Sequence, residues 1–190
     1  MELDCCFTRE NNWFRYRAAA IIVEDGCVLL VGNDQEDYLY SVGGGVHMNE
    51  RAEDAVVREV FEETGVHYEI DRLAVIHENF WNGNGSFDKG LNCHEIAFYF
   101  LMKPKGYQTK NTDSQTRFSV PESLHWIPIS SLKEYKHFPS FLQEYLNAPS
   151  EGVVHIISMK ENKKDARHEP CIFFYSIKER LRCGHRCKVP

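Results

Sequence analysis

In the run GGVHMNERAEDAVVREVFEETGV, residues 44–66, glutamates stand at 59, 62 and 63, with an arginine at 58 and a glycine run at 43–45. Spacings of three and four residues put Glu59, Glu62 and Glu63 on one side of a helix, with neighbouring Cβ atoms about 5–6 Å apart. Like charges that close repel, and a purely structural helix gains nothing from them. A hard cation reverses the sign, because Mg²⁺ and Mn²⁺ take carboxylate and water oxygens. Paired ions about 3.5–4 Å apart clamp the oxygens of an in-line displacement at phosphorus. A lone E-x-x-E-E is usually a solvated acidic face. The glycine run before it and the Arg-Glu pair inside it argue instead for a cation and phosphate site.

Such carboxylates need a helix to carry them and a loop to open beside them. Residues 51–64 contain neither proline nor glycine, and Gly65 is a stop signal. Met48 or Asn49 opens the helix, with Glu50 and Glu53 at its positive end. At 100° per residue, Ala52 and Ala55 share the glutamate sector and leave room for phosphates, while Val56, Val57, Val60 and Phe61 form the face turned to the core. Arg58 precedes Glu62 by one turn and braces it. The glycines permit backbone angles closed to other residues and interrupt regular structure.

Around this segment, strands are expected at 14–23, 27–31, 38–42, 73–80, 94–102, 124–129 and 153–158, the first two joined across an Asp25-Gly26 hairpin turn. Residues 81–90 and 104–117 read as loops, Ser130 as the cap of a short helix through 135, and Pro139 as the start of another. Strands interspersed with few helices make an α/β layered domain with a mixed sheet. The domain is placed at 1–158, with a charged tail at 159–190. In that tail Cys183, His185 and Cys187, with Cys171, fit no dependable zinc spacing and are read as incidental.

With 43% hydrophobic and 13% aromatic residues, 190 residues suffice for one domain with a substantial core. The net charge is −6, and residues 44–66 supply most of it, which weighs against a DNA-binding or other nucleic-acid surface. No run approaches the roughly 20 apolar residues of a membrane span. The start MELDCCFTRENN lacks signal-peptide order, and an odd count of seven cysteines suits a reduced, cytoplasmic protein.

The 44–66 stretch resembles the signature of the Nudix hydrolases, G-x5-E-x7-R-E-U-x-E-E-x-G-U with U aliphatic. Gly44, Glu50, Arg58, Glu59, Val60, Glu62, Glu63, Gly65 and Val66 fill every position. The resemblance, which extends over roughly 14–147, implies an α/β/α sandwich with a mixed sheet and a loop-helix-loop metal site. It implies Mg²⁺- or Mn²⁺-dependent hydrolysis of a nucleoside diphosphate linked to another moiety. It makes Glu59, Glu62 and Glu63 metal ligands, Glu59 also the general base in some members, and the Gly43 carbonyl a further ligand. Arg58 then orients the glutamates and Glu50 supports the loop or the helix start.

Family members often recruit another acid outside the signature. Glu95 is the first choice and Glu78 the rival, an exposed strand-end carboxylate being the alternative reading of Glu95. His47 is a candidate for substrate phosphate, a solvent-facing loop histidine being its alternative reading; Trp81, Trp126, Phe87 and Tyr38 are candidates for base stacking, although each aromatic suits a loop or core anchor as well. Subgroup markers are absent: Asn79-Phe80-Trp81 stands where ADP-ribose types carry proline, and Asn82-Gly83-Asn84 where dinucleoside-polyphosphate types carry tyrosine. A small nucleotide or (d)NTP is therefore the expected substrate. The alternatives are a ligand-sensing domain without hydrolysis, or a hydrolase of RNA 5′ ends. Homodimers are common in the family.

Overall fold

The computed structural model describes residues 3–85, 88–110, 112, 114–115 and 119–159, and the backbone of 171–176. The chain opens with β1 (Cys6–Arg9), β2 (Asn12–Ile21), β3 (Val23–Glu24), β4 (Cys27–Asn33), β5 (Leu39–Tyr40) and β6 (Gly43–Gly45). The helix α1 (Ala52–Thr64) follows, then β7 (Ile70–Asn82), β8 (Asn92–Met102) and β9 (Glu122–Pro128). A 3₁₀ turn (Ile129–Glu134), β10 (His137–Phe138), α2 (Leu142–Asn147), β11 (Val154–Met159) and β12 (Cys171–Ser176) complete it.

Two mixed sheets form where one was expected. The larger runs β1-β2-β8-β7-β11-β12 with β6 added beside β2, its β2–β8 and β7–β11 pairs being parallel. The smaller runs β10-β5-β4-β3 with β9 against β4. The division lies inside the segment read as one strand at 38–42. Leu39–Tyr40 stays with β4 and β10, while Gly43–Gly45 crosses to β2. The glycines thus build a strand instead of interrupting one. A Cβ on Gly43 would stand 2.4 Å from the Ala18 carbonyl oxygen and 2.6 Å from Ala19 Cα, at a φ of 132°. Only glycine permits that approach.

Strand β2 carries Ala18 to Ile21 buried on both faces. Ala18 and Ala20 meet α1, Val42, Val46 and Phe100, whereas Ala19 and Ile21 meet Leu30, Tyr99, Phe141 and Ile156. Period-two burial on two faces fixes the strand between two cores. The Asp25-Gly26 turn has both residues at positive φ, 49° and 73°, as a two-residue hairpin requires.

Helix α1 begins at Ala52, not at Met48 or Asn49, because Asn49 sits at φ 68° outside helical space. Gly65 ends it in the left-handed conformation, its N–H donating to the Phe61 carbonyl. Ala52 and Ala55 are buried in the core with Val56 and Val60 and do not leave space on the acid side. Phe61, assigned to the core face, is exposed and stacks on His67 with centroids 3.9 Å apart. Ser130 caps nothing; Pro128 precedes the 3₁₀ turn without a side-chain cap. The sequence boundary at 158/159 falls inside β11, and β12 pairs with it antiparallel from Val154↔Ser176 to Met159↔Cys171. Cys183, His185 and Cys187 lie outside the described residues, as does Phe87. Among the described residues no helix is long and apolar enough to cross a membrane.

Candidate active site

The glycine strand β6, the turn 46–51 and α1 form a loop-helix unit whose acids occupy three different environments. Glu62 has a 56% exposed side chain and touches Arg58 at 3.2 Å. Glu59 is largely enclosed, at 14% exposure. Its carboxylate lies so close to β6 that a Cβ on Gly44 would come within 2.5 Å of it. Glu63 accepts the Gly43 N–H at 3.1 Å through Oε1, while its Oε2 is buried with no hydrogen-bond partner. Burial pushes the Glu59 carboxyl upward against the pull of Arg58 and Arg17. For Glu63, burial, countered by Arg17 and the Gly43 N–H, raises it to about 8.

Arg58 does more than brace Glu62. Its Nε and Nη2 donate to the two oxygens of Glu50 at 2.9 and 3.0 Å, Nη1 donates to Glu59 at 2.7 Å, and Nη2 also reaches the Gly45 carbonyl at 3.1 Å. Glu50 in turn accepts the His47 N–H. Hydrogen bonding from Arg58 holds the Glu50 carboxyl below its ordinary range. Glu50 therefore fastens the loop to the helix; it does not open the helix. His47 is not solvent-facing: its ring lies between Asp4 at 3.4 Å and Glu50 at 3.6 Å.

The acids outside the 44–66 stretch separate by strand parity. Glu95 is 5% exposed, so the exposed strand-end reading is wrong, and its Oε2 accepts both Nε and Nη2 of Arg15. Burial alone would raise the Glu95 carboxyl, yet Arg15 and Arg17 outweigh it and hold it below the usual value. Glu78 pairs with Ile96, hence projects from the opposite sheet face, and meets His155 at 2.6 Å.

Glu122, which spacing gave no reason to single out, stands on β9 across from Asn33. Its oxygens accept the Tyr40 hydroxyl and the Ser114 hydroxyl. Ser114 N–H donates to Thr112 Oγ1, and Thr112 donates to the Glu63 carbonyl, so a short chain of hydrogen bonds joins Glu122 to the end of α1. Glu122 also acts electrostatically on Glu63. The sequence signal was only an acid opening a strand.

The tryptophans serve as anchors. Trp81 donates to Asp88 at 2.9 Å and packs edge-on to Trp13, closing the 83–90 loop. Trp126 packs with the α1-side core and donates to the Thr109 carbonyl at 2.6 Å. Tyr38 lies edge-on to Phe138 and Tyr40, and Phe138, 49% exposed, presents its ring to solvent beside β5.

A divalent cation fits the donors on one observation in particular: an enclosed, unpartnered carboxylate oxygen on Glu63, one turn from a second enclosed carboxylate. No three His, Cys, Asp or Glu side chains among the described residues converge into a finished cage. Glu59 and Glu63 are brought together, and Glu62 shares their side of the helix but leans outward.

The NUDIX domain model matches residues 14–146. A MutT-like protein of Streptomyces ambofaciens is 28% identical over 102 residues, covering 54% of this chain and 59% of that protein. The chain thus aligns with about three fifths of that relative's length. A MutT protein structure from Bacillus halodurans has a TM-score of 0.60 at 15% identity, covering 84% of this chain and 97% of its own. One from Methanosarcina mazei has 0.54 at 18% identity, covering 74% and 94%. Identities that low speak for the fold alone; the family model spans well over half of the sequence, and the chain belongs to the NUDIX domain family.

Proposed function

We propose that the chain is a Mg²⁺- or Mn²⁺-dependent pyrophosphohydrolase that cleaves a nucleoside diphosphate linked to another moiety, a small nucleotide or (d)NTP. The observation that carries the reading is the enclosed Glu63 oxygen without a partner beside Glu59. An unpaired buried carboxylate costs stability unless something positive completes it. Glu59, Glu62 and Glu63 hold the cation, with the Gly43 carbonyl as a further donor. Glu122 replaces Glu95 as the acid outside the stretch, since Arg15 occupies Glu95.

A bound cation would neutralise the pyrophosphate and acidify the attacking water. The chain's own residues supply the rest. Glu59, the acid raised by burial, accepts the proton from that water. Arg58 keeps Glu59 in one rotamer and ties it to the loop through Glu50. Tyr38 and Phe138, edge-on to each other beside β5, are the ring faces we assign to a base, and His47 stays with Glu50 as loop support.

The test is a panel of (d)NTPs and nucleotide-diphosphate derivatives with Mg²⁺ or Mn²⁺, products identified by mass. Metal-dependent release of pyrophosphate, orthophosphate or a mononucleotide is expected, falling by about 10³-fold in Glu63→Gln or Glu62→Gln. Undiminished turnover in both purified variants, or none in wild type across the panel with either metal, refutes the reading.

A further inference from the structure

We propose that Arg17 is a positioning residue for this site: it clamps the backbone at Ser41, where the chain enters the glycine strand, and through that entry helps to fix Glu63. The proposal rests on the cation-site reading of Glu59 and Glu63 and deepens it. Glycines 43–45 have no side chains with which to anchor themselves, so whatever holds this strand must grip its backbone. The antiparallel ladder with β2 does so, and two guanidinium groups add to it, one on the strand's last carbonyl and one on the carbonyl two residues before its start. Arg58 donates to the Gly45 carbonyl at 3.1 Å from the helix side, and Arg17 donates through Nη2 to the Ser41 carbonyl at 2.8 Å from β2. Two residues beyond Ser41, the Gly43 N–H reaches Glu63 Oε1 at 3.1 Å. The path from Arg17 to the site acid is therefore one hydrogen bond, two residues along the backbone, and a second hydrogen bond.

The counter-charge for Arg17 is also built in. Arg15 and Arg17 are two apart on β2 and share a sheet face; Glu95 lies opposite Arg15 in register, and Ala97 opposite Arg17. Glu95 is thus diagonal to Arg17 and buried, and Ala97 leaves the guanidinium room to extend. The acidic groups acting on Arg17 are, largest first, Glu95, Tyr99, Glu63 and Glu59, all favouring its charged form. A partly buried arginine with carboxylates acting on it keeps its charge while it donates to the backbone. This gives Glu95 a task other than ligation: hydrogen-bonded to Arg15, it also supplies counter-charge to Arg17.

The effect on cation binding has a sign that separates positioning from mere proximity. A guanidinium close to a cation site repels the ion, so removing an idle one tightens binding. Removing a positioning one loosens it, because Glu63 loses its fixed orientation; supporting partners of metal ligands are worth about 10–100-fold in affinity. Mn²⁺ affinity is measured at pH 9 by electron paramagnetic resonance on wild type, Arg17→Lys, Arg17→Met and Glu63→Gln, with amide exchange of 41–46 followed in the metal-free proteins.

The expected result is at least about tenfold weaker Mn²⁺ binding and faster exchange at 43–46 in Arg17→Met, with Arg17→Lys in between. Unchanged or tighter binding in folded Arg17→Met, with unchanged exchange, overturns the role. If Arg17→Met does not fold, Arg17→Lys decides by the same two readouts, since lysine keeps the charge but not the forked geometry. Wild-type protein that binds no Mn²⁺, or Glu63→Gln that binds it as tightly, overturns the cation site and this proposal with it. Intact wild-type binding with indifferent Arg17 variants overturns the proposal alone.

Discussion

Metal-free protein should become less stable as pH rises from 5 to 9, and Glu63→Gln should remove most of that loss. The carboxyl of Glu63 is raised from 4.5 to about 8, by burial first and against Arg17 and the Gly43 N–H. A raised folded value means that the native state favours the protonated acid. The contribution is fully present below the unfolded value and is lost as pH climbs through the folded one. A shift of that size corresponds to about 5 kcal/mol at most between the two limits. Glutamine cannot ionise and still accepts the Gly43 N–H, but its amide group enters the place where Oε2 has no partner, at a cost of about 1–3 kcal/mol. The variant should therefore exceed wild type at pH 8 by about 2 kcal/mol, roughly 4–8 °C in Tm for a chain of this length. Melting curves in EDTA at half-unit pH steps measure it, and saturating Mg²⁺ should erase most of the difference by stabilising wild type alone. A flat wild-type profile in EDTA, or Glu63→Gln melting below wild type at pH 8, defeats the reasoning.

Two further changes probe the frame around that acid. Gly44→Ala puts a Cβ within 2.5 Å of the Glu59 carboxylate, so the side chain must leave its position; turnover should fall by about 10²-fold with little change in Tm, because a displacement of about 1 Å suffices for such a loss. Arg58→Ala strips Glu50, Glu59 and the Gly45 carbonyl of one shared donor and should destabilise by about 3 kcal/mol, the low end for breaking a buried pair because Arg58 keeps 22% of its surface. Chemical denaturation reads it, and a loss under about 1 kcal/mol would show that Arg58 is dispensable to the loop.

The helix, its glycine stop and the acid face were legible because they depend on local chemistry: a propensity run, a left-handed terminus and a three-four spacing. The hairpin at Asp25-Gly26 was legible for the same reason. What escaped depends on tertiary partners. The pattern gives Glu59, Glu62 and Glu63 equal weight, but only packing against Gly44 and Gly43 encloses two of them. Parity along a strand separates Glu95 from Glu78 only once the register with β7 and β2 is known. Glu122 could not be singled out, because its nearness to Glu63 runs through Thr112 and Ser114 from a loop with no periodicity. Gly43–Gly45 read as a break because glycine signals turns far more often than a strand needing close approach.

The balance of charge decides how the three glutamates of one helix divide their work. Arg58 is already engaged by Glu50, Glu59 and the Gly45 carbonyl, so it has little left for Glu63, which lies on the next turn. Arg17 faces Glu63, but its donated hydrogen bond goes to Ser41. Glu122 brings more negative charge toward the same place, its own oxygens occupied by hydroxyl donors that leave its charge in force. The site thus gathers acids around one enclosed oxygen and spends its two nearest arginines on backbone. That arrangement favours two states, a proton on Glu63 or a cation against it. If the proposed site binds a cation, competition between those states should make its affinity rise with pH across the neutral range, in the same interval where the metal-free protein is expected to lose stability.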